Sequence, residues 1–262
     1  MNAIPMSTAS ASPGRVIRAA LVIFPLGLIL LGAGSFVFYF NKREQTTQRA
    51  IKYAAGLRKE LNEADLKHYE DVFADALSKP AQERAKTLAI FMESTLGPEN
   101  MGYTVRTVLD KNDHDAPALA MDVEVTGASK PRDLVVVLMS FLPELAAPDT
   151  SIIGRPAAVF LNLAHSLTGL AKVRSIRFVA VQNIAALRPY YEQGVDARER
   201  ISHVLLLGPV AAASDGEVIA ALHLEGRGAV LLRPAVPPGN GAGLLHSATA
   251  LQKQVMELAE RL

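Results

Sequence analysis

The sequence predicts a three-layer α/β/α domain with a mostly parallel central sheet, preceded by one transmembrane helix. Three observations predict it. The 22-residue run Ala19 to Phe40 (AALVIFPLGLILLGAGSFVFYF) carries no charge. Beyond Pro80, short apolar runs alternate with stretches of helical spacing, the pattern of strands and helices that pack in layers. One of those runs, Leu134 to Met139 (LVVVLM), is continuously apolar, as in a strand covered on both faces.

Composition narrows the function classes. The 262 residues include no Cys and no Trp, which excludes disulfide frameworks, zinc ribbons and a cysteine nucleophile. Lys and Arg number 27 against 26 Asp and Glu. A balance near zero, with no interleaving of basic and aromatic residues, argues against nucleic-acid binding. Of the 53 charges only Arg15 and Arg18 fall in the first 40 residues. The rest of the chain therefore has the charge content of an ordinary globular domain.

After a tail at residues 1–16, residues 17–41 form the expected transmembrane helix. Twenty-two helical residues span about 33 Å, enough for the hydrocarbon core. Phe36, Phe38, Tyr39 and Phe40 supply an aromatic boundary. A cleaved signal peptide with Leu31–Ser35 as its processing region is the rival reading; the apolar run continues past that region to Phe40, which favours a retained anchor. Lys42, Arg43, Arg49, Lys52, Arg58 and Lys59 follow the span, and on the positive-inside rule they would keep the domain cytoplasmic. Residues 42–79 read as a helical stalk, either a helix pair lying on the main domain or a coiled-coil dimerisation stalk.

Residues 80–262 form the α/β domain. Ala81–Leu96 is an amphipathic helix stopped by Gly97-Pro98. Tyr103–Leu109 and Ala118–Val125 alternate as strands, joined by a polar hairpin loop containing Asp110, Asp113, His114 and Asp115. The buried strand Leu134–Met139 leads through a proline-rich loop to the helix Ala157–Leu170. Val173–Val181 is a strand, Ala186–Gln193 a short helix and Ser202–Leu207 a strand. Val218–Leu224 and Ala229–Leu232 read as extended segments around the Gly226-Arg-Gly228 turn. Leu244–Leu262 is a terminal amphipathic helix with Ser247 as its N-terminal cap. Lys172, Arg174 and Arg177, with Lys130 and Arg132, read as a solvated basic rim or as a contact for anionic lipid or a partner.

Several segments are similar, in order and spacing, to family-28 zinc metallopeptidases, the aminopeptidase and glutaminyl-cyclase group. TLGPENMGY (Thr95–Tyr103) resembles the start of that catalytic domain. DLVVVLM (Asp133–Met139) resembles the strand carrying the first metal ligands, AAVFLNLAHSL (Ala157–Leu167) the helix after the bridging-aspartate loop, and SIRFVAVQN (Ser175–Asn183) the strand ending in the catalytic glutamates. The resemblance covers roughly residues 80–262. It implies the fold, truncated, and favours an extracytoplasmic domain.

The family's chemistry uses two zinc ions held by His and carboxylates, with Glu as general base. The family's ligand positions fall near Ser140 and Leu142, near Ser151, near Ile184 and Ala185, and near Gly208. The sequence ends at Leu262, ahead of the region expected to bring the last His. None of these residues is a zinc ligand, so the resemblance implies the fold and argues against the activity. Asp149 is the nearest substitute for the bridging carboxylate. His203 is a further weak candidate, and His223 and Glu225 would share one face of the expected strand Val218–Leu224.

These residues support two functional readings. One is a membrane-anchored, catalytically inactive peptidase-like protein that binds a protein partner or a second copy, needs no cofactor and touches membrane lipid. The other is a membrane-bound hydrolase with a rearranged, zinc-dependent site drawn from His165, His203, His223 and Asp149.

Overall fold

The computed structural model describes residues 52–111, 116–142, 150–170, 172–236 and 241–261, and the isolated positions 35, 38, 39 and 42. The expected membrane span apart from positions 35, 38 and 39, the Asp113–Asp115 part of the hairpin loop, and Asp149 lie outside the described residues. Among the described residues no helix is long and apolar enough to cross a membrane. The chain divides into the units Met1–Ala50 and Ile51–Leu262, and the second of these holds the sheet and its helices.

The elements of this second unit are α1 (Glu63–Ser78), α2 (Ala81–Leu96), β1 (Arg106–Val108), β2 (Ala120–Val125), β3 (Lys130–Ser140), α3 (Thr150–Leu167), β4 (Arg174–Val181), α4 (Leu187–Gly194), β5 (Arg200–Leu207), α5 (Asp215–Ala221), β6 (Val230–Leu232) and α6 (Gly241–Glu260). Short 3-10 turns occupy Ile184–Ala186 and Gly208–Ala212. The six strands run in the order β1-β2-β4-β3-β5-β6. The pairs β4–β3, β3–β5 and β5–β6 are parallel; β1–β2 and β2–β4 are antiparallel. The sheet is thus mixed, with four parallel strands and an antiparallel pair on one edge.

Residues of β3 alternate between two cores. Val135, Val137 and Met139 face α3, α6 and the helices outside them, whereas Leu134, Val136 and Leu138 face α4 and α5. All six are essentially buried, which is why the sequence shows an unbroken apolar run rather than alternation. Helix α3 is apolar almost all round, with Phe160, Leu161, Leu163 and Ala164 fully buried. It lies between the sheet and a further helical layer, and Phe160 meets Phe178 of β4 edge to face at 5.6 Å.

The stretch predicted as a stalk joins this core. Asn62 caps α1 by accepting from the Asp65 N–H at 2.8 Å, and Leu66, Tyr69, Phe73, Ala76 and Leu77 are buried. Glu70 pairs with Arg155 of α3 at 2.9 Å. Residues 63–79 are therefore part of the packed unit.

Three local expectations are corrected. The Val218–Leu224 strand is a helix: Ser214 and Glu217 form a reciprocal capping box at the start of α5, which fixes the first turn by satisfying its free N–H groups. His223 and Glu225 consequently do not share a strand face; they come after the end of that helix. Ser247 is not a cap, since α6 begins at Gly241 and the Ser247 hydroxyl donates back to the Gly243 carbonyl at 3.1 Å. Arg177 is not part of a solvated rim. It is 1% exposed and is held between Glu124 of β2 (Nε to Oε2, 3.1 Å) and Glu199 (Nη1 to Oε2, 2.9 Å). Next to it along the sheet, Arg106 makes a two-pronged pair with buried Asp122 at 2.7 Å, and the Tyr190 hydroxyl donates to the same carboxylate at 3.0 Å. Burial alone would lower the Arg177 pKa, but the hydrogen bonds to Glu199 and Glu124 outweigh it and raise it.

Candidate functional site

In a parallel sheet the crevice beyond the carboxyl ends of the strands is the default ligand site. Here β3 ends at Ser140, β4 runs out into Gln182-Asn183, and β5 ends at Leu207 before Gly208. The pairing of β3 with β4 continues past the strands, since the Phe141 and Leu142 N–H groups donate to the Val181 and Gln182 carbonyls at 2.9 Å. A crevice of about 370 Å³ lies there, lined by Ser140, Asn183, Ile184, Pro209, Val210 and Glu217 among others.

Each of these polar groups has an internal partner. The Ser140 hydroxyl accepts from the Val210 N–H at 2.9 Å, tying β3 to the turn after β5. The Asn183 side chain accepts from the Ala186 N–H at 3.2 Å and caps the 3-10 turn that contains Ile184 and Ala185. The Glu217 carboxylate accepts from the Ser214 N–H and hydroxyl at 2.8 Å, and the Ser214 hydrogen bonds hold its pKa below the usual carboxylate range. Gly208 sits at φ +69°, and a Cβ there would lie 3.2 Å from Cβ of Pro156. At Ser151 the backbone is helical; its side chain is outside the described set.

The structure thus brings Ser140, Ile184 and Gly208 to one end of the sheet, with Leu142 half-buried and Ala185 exposed close by in sequence. Of the alternative ligands, it does not bring His165, His203, His223 or Glu225 there. His165 lies near the end of α3, which runs back along the sheet to the amino ends of the strands, and its Nε2 is 2.9 Å from the Leu57 carbonyl. His203 lies within β5 and its Nδ1 is 3.1 Å from Ser202 Oγ. His223 comes just after α5, its ring 5.1 Å from that of Tyr191, and Glu225 is exposed. Burial lowers the pKa of His165 and of His203; the charges of Arg174 and Arg261 lower His203 further.

No family model matches the chain, and no curated protein matches it. Solved structures do. The unit is similar to a Zn-dependent exopeptidase from Parabacteroides distasonis, with TM-score 0.52 at 9% identity over 76% of this chain and 99% of that one. The chain shares the fold of that structure. Further matches to the same fold are the Legionella pneumophila LapA aminopeptidase, with TM-score 0.47 at 10% identity over 84% of this chain and 76% of that one, and an Acidobacteriales bacterium glutaminyl cyclase, with TM-score 0.45 at 12% identity over 78% and 96%.

Zinc takes imidazole, thiolate or carboxylate ligands, three or four to an ion. The crevice of this exopeptidase fold offers a bonded hydroxyl, a capping amide, aliphatic groups and one capping carboxylate. The described residues there do not fit the metal. Among the described residues no three His, Asp or Glu side chains stand together as a metal cluster anywhere in the unit.

Of these crevice residues, sequence reasoning missed Glu217. A signal for Glu217 was present: Ser214-Asp-Gly-Glu217 is a capping-box pattern ahead of an apolar run.

Proposed function

We propose that this chain is a single-pass membrane-anchored, catalytically inactive zinc-peptidase-like protein that serves as a binding or assembly subunit for a protein partner or a second copy of itself. The observation that carries this reading is the residue set at the carboxyl ends of the three central parallel strands. Ser140, Asn183 and Glu217 are committed to internal hydrogen bonds, and Ile184 and Gly208 have no side-chain donor atoms. Gly208 adds a steric argument. A side chain at that position meets both a left-handed backbone and the Pro156 ring, whose Cβ would lie 3.2 Å from the added Cβ. The uncharged run Ala19–Phe40 supports the anchor.

The full chain purified in neutral detergent tests the reading. Elemental zinc would be measured alongside turnover of a panel of aminoacyl amides. The expected result is a cooperatively unfolding protein with far less than one zinc per chain and no chelator-sensitive turnover. Stoichiometric zinc together with turnover abolished by chelator overturns it.

A further inference from the structure

We propose that a pocket where the chain joins the folded unit binds the phosphate of an anionic phospholipid headgroup; this rests on the membrane-anchored reading. The pocket, of about 560 Å³, lies between residues 56–59, α1, α2, the 100–101 turn and His165. It is well away from the carboxyl-end crevice, because α3 runs from that crevice to the amino ends of the strands and His165 stands near its far end.

The wall made by the incoming chain is held in place. Gly169 has φ +67°, and a Cβ there would lie 2.5 Å from the Ala55 nitrogen. A Cβ at Gly102 would lie 3.2 Å from Leu57 Cδ1, and His165 Nε2 meets the Leu57 carbonyl. Residues 54–57 are thus seated on the unit by two glycines and a hydrogen bond.

The lining matches a phosphate ester carrying a hydrocarbon tail. Arg58 and Lys59 supply positive charge at the pocket wall, against the one carboxylate of the lining, Asp65, and the Asn100 amide there already donates to the Ser94 carbonyl at 2.9 Å. Among the described residues Arg58 makes no ion pair. Lys59 lies 3.9 Å from Asp65, whose carboxylate already accepts from the Asn62 amide at 2.9 Å. The charge of Lys59 reaches His165, where it adds to the effect of burial in lowering that pKa. Guanidinium and ammonium groups around one cavity are suited to a phosphate oxygen cluster. The apolar part of the lining is Tyr69 and Phe91, packed edge to face with centroids 6.4 Å apart, with Met101 buried behind them.

Two features select the lipid over a free phosphate ester. A small soluble phosphate has no use for the aromatic surface. The chain also arrives at the pocket wall, at Gly56, sixteen residues after Phe40, the end of the uncharged run. Sixteen residues reach at most about 55 Å fully extended, so the headgroup layer is within the tether's range, where each Lys or Arg near an anionic surface gains attraction.

The test titrates the full chain in neutral detergent with dihexanoyl phosphatidylglycerol, dihexanoyl phosphatidylcholine and glycerol 3-phosphate, read by calorimetry. The expected result is saturable binding of phosphatidylglycerol, at least tenfold weaker binding of the other two, and at least a tenfold loss in the Arg58→Gln/Lys59→Gln variant with its thermal unfolding unchanged. Arg227→Gln, an exposed charge on the turn after α5, leaves binding unchanged. Equal affinity for wild type and the double variant, or for the two lipids, overturns the site. Tight glycerol 3-phosphate binding overturns the lipid assignment. Carbonate extraction of membranes carrying the chain checks the anchor separately: release into the soluble fraction defeats the anchored reading whatever the titration gives.

Discussion

Arg177 on β4 donates from Nη1 to Glu199 Oε2 at 2.9 Å, and its other nitrogens reach Glu124 on β2. A fully buried guanidinium is therefore compensated by two carboxylates from separate parts of the chain. Removing it leaves two largely buried carboxylates facing each other without their hydrogen-bonded cation, with only the charge of neighbouring Arg106 acting on Glu199. Arg177→Met is expected to cost about 3–5 kcal/mol, the range for breaking a buried pair. Urea unfolding measures it, and adding Glu124→Gln and Glu199→Gln should restore part of the loss. A cost below about 1 kcal/mol would show that the network does not hold the antiparallel edge.

The same cluster sets a response to acid. Burial raises the Glu199 pKa, but the hydrogen bond and charge of Arg177 lower it more, so the net direction is down. A carboxylate with a depressed folded pKa stabilises the fold fully above its unfolded value of about 4.3 and loses that contribution as pH falls through the folded value. Unfolding midpoints measured from about pH 6 to about pH 3 should drop more steeply for wild type than for Glu199→Gln.

His165 gives a second pH window. Its folded pKa is lowered, chiefly by burial and despite the Leu57 carbonyl, so below about pH 6.5 the unfolded chain takes up the proton more readily. Stability therefore falls as pH drops from about 6.5 toward the folded value. His165→Gln keeps a hydrogen-bond donor but cannot titrate, and should flatten the stability profile between about pH 7 and about pH 5. A profile that keeps its wild-type slope in this variant would remove His165 as the cause.

Gly169 seats the incoming chain against the end of α3. Gly169→Ala puts a methyl group into the Ala55 backbone at 2.5 Å and strains a left-handed position. The expected outcome is release of residues 54–57, read as faster tryptic cleavage at Arg58 and Lys59, with the rest of the unit resisting digestion. Cleavage at the wild-type rate would mean that this contact does not fix the segment.

His223 ends α5 with φ +47°. Its N–H donates to the Ala220 carbonyl at 3.3 Å and that of Leu224 to Ile219 at 2.9 Å, the two bonds of a Schellman ending, where glycine is usual. His tolerates the left-handed region better than a β-branched residue does. His223→Val should therefore destabilise by about 1–2 kcal/mol in thermal or urea unfolding, and an unchanged midpoint would count against the strain.

The site is legible in the sequence to the extent that strands end where apolar runs end. Ser140 and Gly208 come directly after LVVVLM and SHVLLL, and both stand at the carboxyl ends of parallel strands as expected. What those residues do there is not legible. That the Ser140 hydroxyl holds the Val210 N–H depends on a turn 70 positions away in the chain. The helix at Asp215–Ala221 reads as a strand because a short apolar segment fits either period until its cap is recognised.

By itself the sequence determined the order of helices and strands apart from the helix Asp215–Ala221, the strand buried on both faces, and the uncharged run of spanning length. These come from local hydrophobic spacing, which one segment carries alone. Only the tertiary structure decided that Arg177 is a buried ion rather than a rim charge, that the 63–79 helix is core, and that His165 clamps Leu57. Each depends on partners far off in sequence: Arg177 finds Glu124 at a separation of 53 residues, and His165 finds Leu57 at 108. A charge tolerates burial only where such partners arrive, and only the packed sheet and its helices fix which ones do.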